Sequence, residues 1–565
     1  MATLKSIKNK YLQTSDGDTL GVDDNADNVA LLAFKMQATD SIAKFNMIDG
    51  FSDAYADATG IDAGGSTNET RNDAKYYSGG VTGDATGGTV TTYSSGGNDY
   101  KVHSFLADGN LTVPGVGNTD CLVVGCGGKG AGPVDGNHAH GGGGGGGMRE
   151  ISDQELTART YAIQVGDAQV WESADYHGEN SIISTGILSA LTVGNGGSGY
   201  STAPTVAIAA PTSGVTATAT ATVSGGAITG YTITNAGEGY QPGSTPTVTI
   251  SGGGGNSGTG VPVISGTLIV ATGGGAGCSY NQERSSGVSF AGGSGGGGRG
   301  NGPGRQAGGP GNLGSFSPSE GNQGGLGSGG GGGPPCPNVS GGGGGGAGGN
   351  GGNSSTASTG SATSGGHGGA GKTNAWRTGS DVTYAGGGGG GGYSAGGNAG
   401  SGGGGRGQWN GHNNQSEANG DDNTGGGGGG CGHGSVAGVA GSGIVVIRYI
   451  EGSFVAYDNM TLVSNSVTAA AQPDTADVVA AYTNGVGTAS INTDLKYWVS
   501  RDNGTTYTQC TMVSQGTSGG HTLLSARGVD ISAQPDGTTM RYKVTTHNQS
   551  ATKETRAQAV SLAWA

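Results

Sequence analysis

Few residues in this chain are spaced for chemistry, and each set meets a local obstacle. Gly366–Thr373 (GHGGAGKT) fits the phosphate-cradling pattern GxxxxGK[ST]. That pattern works only where an apolar strand precedes the glycines and a helix follows, so that backbone amides face the phosphates. Here Ser-, Thr- and Gly-rich sequence precedes it, and 374–380 has no helical periodicity, so a chance match in a glycine-rich chain is the better reading. His433 stands two positions from Cys431 on a glycine run, with no carboxylate nearby to orient the imidazole as a base. Cys121, Cys126, Cys278, Cys336, Cys431 and Cys510 form no CxxC pair and lack zinc-ligand spacing, so they read as free thiols. The acidic run Asp16–Asp27 lacks the ligand order of a calcium loop and reads as solvated. Nothing pairs nucleophile, base and orienting carboxylate, so neither an enzymatic activity nor a cofactor is expected.

The remaining candidates are aromatic. Between 273 and 443 the chain is about 40% glycine (72 of 171 residues), and Trp376, Tyr384, Tyr393, Trp409 and His412 stand at the breaks between glycine runs. Aromatic side chains on loops held by a rigid scaffold are natural receptor-binding determinants. The same side chains could equally pack over the ends of the scaffold, and the sequence leaves both readings open.

A scaffold made of glycine needs a physical basis. Collagen is excluded by 15 prolines in 565 residues and by runs such as Gly341–Gly346. A flexible linker would mix serine with glycine and lack the aromatic punctuation. The third possibility is a bundle of extended helices with three residues per turn. Each has no internal hydrogen bond, so every N–H and C=O points outward to a neighbour that can approach closely because no Cβ intervenes.

Composition bounds the partners. The net charge is −15, with 14 acidic against 7 basic side chains in the first hundred residues, which disfavours nucleic acid. No apolar run reaches the roughly 20 residues of a membrane span. Met1–Tyr11 carries lysines without an apolar core, unlike a secretory signal, so synthesis in a host cytoplasm without export is expected.

The chain divides by composition into three domains. Residues 1–97 form a small mixed domain with a helix expected over Asp27–Phe51, from Val29, Leu32, Met36, Ile42, Phe45 and Ile48. Residues 98–450 form the glycine-rich domain, opening on strands at Lys101–Phe105, Leu111–Val113 and Cys121–Val124 and closing on Ile444–Tyr449. The bracketing strands are expected to meet in one sheet. An all-β insertion over 187–265 carries one motif twice, VGNGGSGYSTAPTVAI and ITNAGEGYQPGSTPTVTI, around a hairpin centred on Gly225 and Gly226. Residues 451–565 alternate as a β-sandwich with turns at Asp502–Gly504 and Pro535–Gly537.

His103–Phe105, Leu111–Pro114, Cys121–Gly125 ahead of glycine runs and the closing Ser442–Tyr449 resemble the glycine-rich domain common in phage tail proteins. The paired motif and the C-terminal part are similar to modules of marine phage structural proteins, and the N-terminal block resembles the starts of cyanophage virion proteins. The resemblance implies a mainly β, multidomain protein: a β-sandwich carrying packed polyglycine-II helices, the β-repeat insertion and a C-terminal β-sandwich. It implies a tail fibre or tail-associated adhesin in the virion, attached to other tail proteins by its N-terminal domain. The distal domains would recognise a host-surface receptor, with polysaccharide among the candidates. A capsid or neck decoration protein is the alternative. A homo-oligomer, most simply a trimer, is implied too. Some trimeric fibres of similar architecture bind a metal on the axis through His-x-His, which makes His138 and His140 a metal candidate; surface histidines in a loop are the other reading. Ser500–Tyr507 resembles the Asp-box of sialidase-type propellers, and as a single copy it implies a β-turn rather than a glycosidase.

Overall fold

A computed structural model describes residues 44–47, 49–72, 75–132, 139–168, 177–279, 290–300, 306–328, 339–355, 364–550 and 553–565. The protein is mainly β, built from antiparallel sheets. The α-helix among the described residues is the four-residue Gln415–Ala418.

The chain separates into two compact units, and the boundary differs from the one composition suggests. One unit combines residues up to Gly83 with Phe454–Ala565; the other is Asp84–Ser453. The described part of the N-terminal block, from Lys44 on, is therefore not a domain of its own. Its strand Gly50–Asp53 pairs antiparallel with Glu554–Trp564, Phe51 opposite Leu562, and Gly80–Gly83 pairs with Phe454–Tyr457. The expected helix over Asp27–Phe51 is also corrected. Lys44–Met47 and Gly50–Asp53 are paired strands, while 27–43 lies outside the described residues. All four residues of Gly50–Asp53 are buried, and partners supplied from the far end of the chain override the local helical pattern.

In this composite unit an eight-stranded and a five-stranded sheet share one core. Phe51 stacks on Tyr542 at 5.6 Å and tilts against Trp564 at 6.3 Å. Arg501 is fully buried yet satisfied: its guanidinium donates to the carbonyls of Pro473, Ser532, Gln534 and Pro535 and to Asp474. The adjoining Ser500–Tyr507 segment is a turn held by its own bonds. The Thr506 amide donates to Asp502 Oδ1 at 2.9 Å and the Gly504 amide to Ser500 Oγ at 2.8 Å.

In the other unit the bracketing strands do meet. Gly117–Val124 and Ile444–Ile450 are neighbours at the centre of a five-stranded sheet, Val123 opposite Val445. A four-stranded sheet contains Ser181–Asn195 paired with Thr259–Ala271, a long ribbon from which the insertion emerges. The insertion's hairpin pairs Thr218–Ser224 with Ala227–Asn235, and Gly225 and Gly226 both take the positive φ that a two-residue turn of this kind needs. Its two motif copies fold alike. Asn195 accepts from the Gly197 amide and Asn235 from the Gly237 amide, each at 2.9 Å, and Tyr200 and Tyr240 bury their rings while accepting a backbone N–H.

Between these elements the glycine runs bond backbone to backbone with a strict recurrence. The amides of Gly141, Gly142 and Gly143 donate to the carbonyls of Cys278, Gly342 and Gly428. Those of Gly144, Gly145 and Gly146 donate to Gly275, Gly345 and Gly425. Each neighbour returns at the third residue, so the chain serves three neighbours in rotation. The polar groups are satisfied without a hydrophobic core. A Cβ on Gly144 would collide with the Ser294 carbonyl, and one on Gly344 with the Gly143 carbonyl, which is why side chains are absent here.

Candidate binding site

Three glycine runs set the geometry of the site because they lie parallel and in register. The amides of Gly386, Gly389 and Gly392 donate to the carbonyls of Gly402, Gly405 and Gln408; those of Gly405 and Gln408 donate to Gly427 and Gly430. Runs in register end at one level, so Tyr393, Trp409 and His433 emerge together. The glycine at 432 lets the Trp409 backbone come close, since a Cβ there would meet Trp409 Cα. The Asn410 amide donates to the Tyr393 carbonyl at 3.3 Å, tying the first two loops.

Trp409 is the centre of the group. The His412 ring stacks on it at 3.6 Å and 11°, and the Arg406 guanidinium lies 4.9 Å from the indole centroid. Gln408, fully buried, aims Oε1 at His412 Nδ1 (2.9 Å) and at the Asn414 amide (3.0 Å), so Nδ1 carries a proton. Arg406 also reaches Glu417 at 3.5 Å, and Asn414 caps the short helix that presents that glutamate. Tyr393 meets His433 edge-on at 6.4 Å. Tyr393, Trp409, His412 and His433 are partly buried, Arg406 and Glu417 are half-exposed, and all are held by backbone-bonded loops. The rings form an aromatic surface, bordered by the Arg406–Glu417 pair, able to bind a ring.

The other two aromatic candidates belong to packing. Tyr384 is fully buried in an apolar cluster with Val102, Leu122 and Val446, and cannot touch a receptor. Trp376 packs against that cluster; Arg448 lies 5.1 Å from its ring, and the Tyr93 hydroxyl donates to its carbonyl. Sequence reasoning missed Arg406 and Gln408, and weighed His433 only as a base beside Cys431. The available signal was that each stands at, or within three residues of, the end of a glycine run.

His140 is not on a surface loop: it is buried, its amide donating to Cys431 and its carbonyl accepting from Gly391. His138 lies outside the described residues, and among those described no three His, Cys, Asp or Glu gather as a metal site. Lys372 and Thr373 sit in a short strand paired with Val382–Tyr384, and Lys372 is engaged by Glu150. Cys431 beside His433 is fully buried, and burial pushes its thiol up to about 12, far from a reactive thiolate. Cys121, Cys126 and Cys510 are raised likewise to about 12.

No family description, curated protein or solved structure matches the chain.

Proposed function

We propose that this chain is a structural protein of a phage virion, a tail fibre or tail-associated adhesin, and that its glycine block is a bundle of packed polyglycine-II helices. The observation that supports the reading is the register of the runs ending at Tyr393, Gln408 and Cys431, which brings Tyr393, Trp409, His412, His433 and Arg406 to one level of a backbone-bonded scaffold. Such a scaffold keeps recognition side chains in place without the entropy cost of ordering mobile loops. The partner in this reading is a host-surface receptor, polysaccharide included, and the role is binding without catalysis. Attachment to other virion proteins then falls to the unit that combines the two ends of the chain, and the assembly is a homo-oligomer, most simply a trimer.

Antibody against the chain, applied to particles of the encoding phage, locates it directly. Label at the tail, together with loss of adsorption in Trp409→Ala particles that still incorporate the protein, is the expected result. Label confined to the capsid or neck would make it a decoration protein instead, and its absence from particles would overturn the virion reading. Release of reducing ends from host polysaccharide above a buffer blank would overturn the non-catalytic part.

A further inference from the structure

The outward face of the five-stranded sheet in the composite unit carries a second arrangement of rings and cations. In Leu495–Ser500 and Thr539–Thr546 the side chains of Tyr497, Val499, Tyr542 and Val544 turn into the core, which leaves Lys496, Trp498, Arg541, Lys543 and Thr545 on the opposite face. Trp498 and Lys543 are directly opposed in register. The Lys543 ammonium lies 4.9 Å from the Trp498 ring and 4.0 Å from the Tyr507 ring, and the indole N–H donates to Thr545 Oγ1 at 3.2 Å, fixing the ring that flanks it.

A cross-strand lysine and tryptophan stabilise a sheet in any case. What exceeds that role is the charge pattern. Neighbouring cations of the unit are matched: Arg541 by Asp62, Lys553 by Asp494, Arg501 by Asp474 and Arg556 by Glu554. Lys543 and Lys496 have no carboxylate within ion-pair distance among the described residues. The carboxylates bordering the face are engaged elsewhere, Asp62 by Arg541, Asp494 by Lys553 and Asn548, and Asp502 by its own turn. Burial lowers the pKa of Lys543 with no opposing acidic neighbour. A half-buried ammonium held in place and left unmatched is costly, and a bound anion offsets that cost. In a chain of net charge −15 two unmatched lysines beside two rings stand out as a local inversion of sign.

We infer that this face binds an acidic polysaccharide: Lys543 and Lys496 take carboxylate or sulfate groups, and the exposed parts of the Trp498 and Tyr507 rings take the apolar side of the sugars. The inference rests on residues of the composite unit and stands apart from the role given to the loops around Trp409.

The test uses the full chain and four polymers by titration calorimetry: polygalacturonate, dextran sulfate, neutral dextran and duplex DNA. One or both acidic glycans should bind, more weakly as salt screens the charges. Lys543→Gln should weaken that binding roughly tenfold or more, as loss of a charged hydrogen-bond donor does. Lys496→Gln should weaken it less, and Trp498→Phe, which keeps a ring, should preserve most of it. If Lys543→Gln lowers the melting temperature, Lys543→Arg must restore binding. The inference is overturned if neither acidic glycan binds, if Lys543→Gln binds as wild type does, if neutral dextran binds equally well, or if DNA binds as tightly as the glycans.

Discussion

Arg448 stands opposite Asp120 in the sheet, and its guanidinium closes on that carboxylate at 2.8 Å across 328 positions of sequence. The contact lies between the strand that leads into the glycine runs and the strand that leads out of them. Arg448 also lies 4.5 Å from the Tyr100 ring and donates to the Tyr93 hydroxyl, so one side chain gathers three strands and the Trp376 loop. Arg448→Ala should destabilise this unit by about 2 kcal/mol, the cost of leaving partly buried partners unpaired. Urea denaturation of wild type and variant measures it, and a change below the fitting error would show the contact to be incidental.

Substitution within the glycine runs separates backbone packing from mere flexibility. Gly344→Val places its side chain against the Gly143 carbonyl, a neighbour that cannot rotate away. A loss of about 3 kcal/mol or more is expected, the upper range for overpacking. Gly230→Ala is the control, since its Cβ would meet nothing within 4 Å. Its stability should be unchanged or slightly raised. Equal thermal midpoints for the two variants would contradict the packed arrangement.

Amide exchange reads the same bonds without mutation. Gly386 to Gly392 donate in turn to Gly402, Gly369, Gly143, Gly405, Gly366, His140 and Gln408. Their protection should approach the global stability of the unit, several orders of magnitude above the free peptide. Exchange of these amides at the free-peptide rate would show the ladder to be absent in solution.

The composite unit makes a prediction about truncation. A fragment of residues 454–565 lacks Gly50–Asp53 and therefore Phe51, which is fully buried against Tyr542 and Trp564. Removing a buried phenylalanine alone costs about 3–5 kcal/mol, and here a whole strand goes with it. The fragment should be unfolded or aggregated by circular dichroism and gel filtration, and adding residues 44–83 through a short linker should rescue it. A monomeric, cooperatively folded 454–565 would refute the shared core.

Asp494 should dominate the acid limb of that unit's stability. Burial by itself would raise its pKa, but bonds from Asn548, Lys553 and the Ser490 amide outweigh burial and hold it at about 2. An unfolded aspartate titrates near about 3.9. The folded pKa is thus depressed, so the stabilisation is complete above about pH 4 and is lost as pH falls through about 2. Its size is on the order of 2 kcal/mol. Asp494→Asn should be less stable than wild type at pH 6, and the gap should narrow between about pH 4 and pH 2. A gap independent of pH would remove the carboxylate from the account.

What the sequence determined by itself is what depends on local pattern. Short apolar runs foretold the strands at Cys121–Val124 and Ile444–Tyr449, and alternation foretold the hairpin at Gly225 and Gly226. Pure glycine runs foretold a region where a Cβ has no room, because that requirement acts residue by residue. What only the tertiary structure decided depends on partners distant in the chain. The block around Phe51 carries a helical spacing, yet it is a strand because Leu562 lies opposite it. Two segments that composition separates form one core for the same reason. Tyr384 and Tyr393, nine positions apart, look alike in sequence. One is buried against Val446 and the other emerges beside His433, because the register of three glycine runs, set by backbone bonds that no side chain encodes, determines where each run ends.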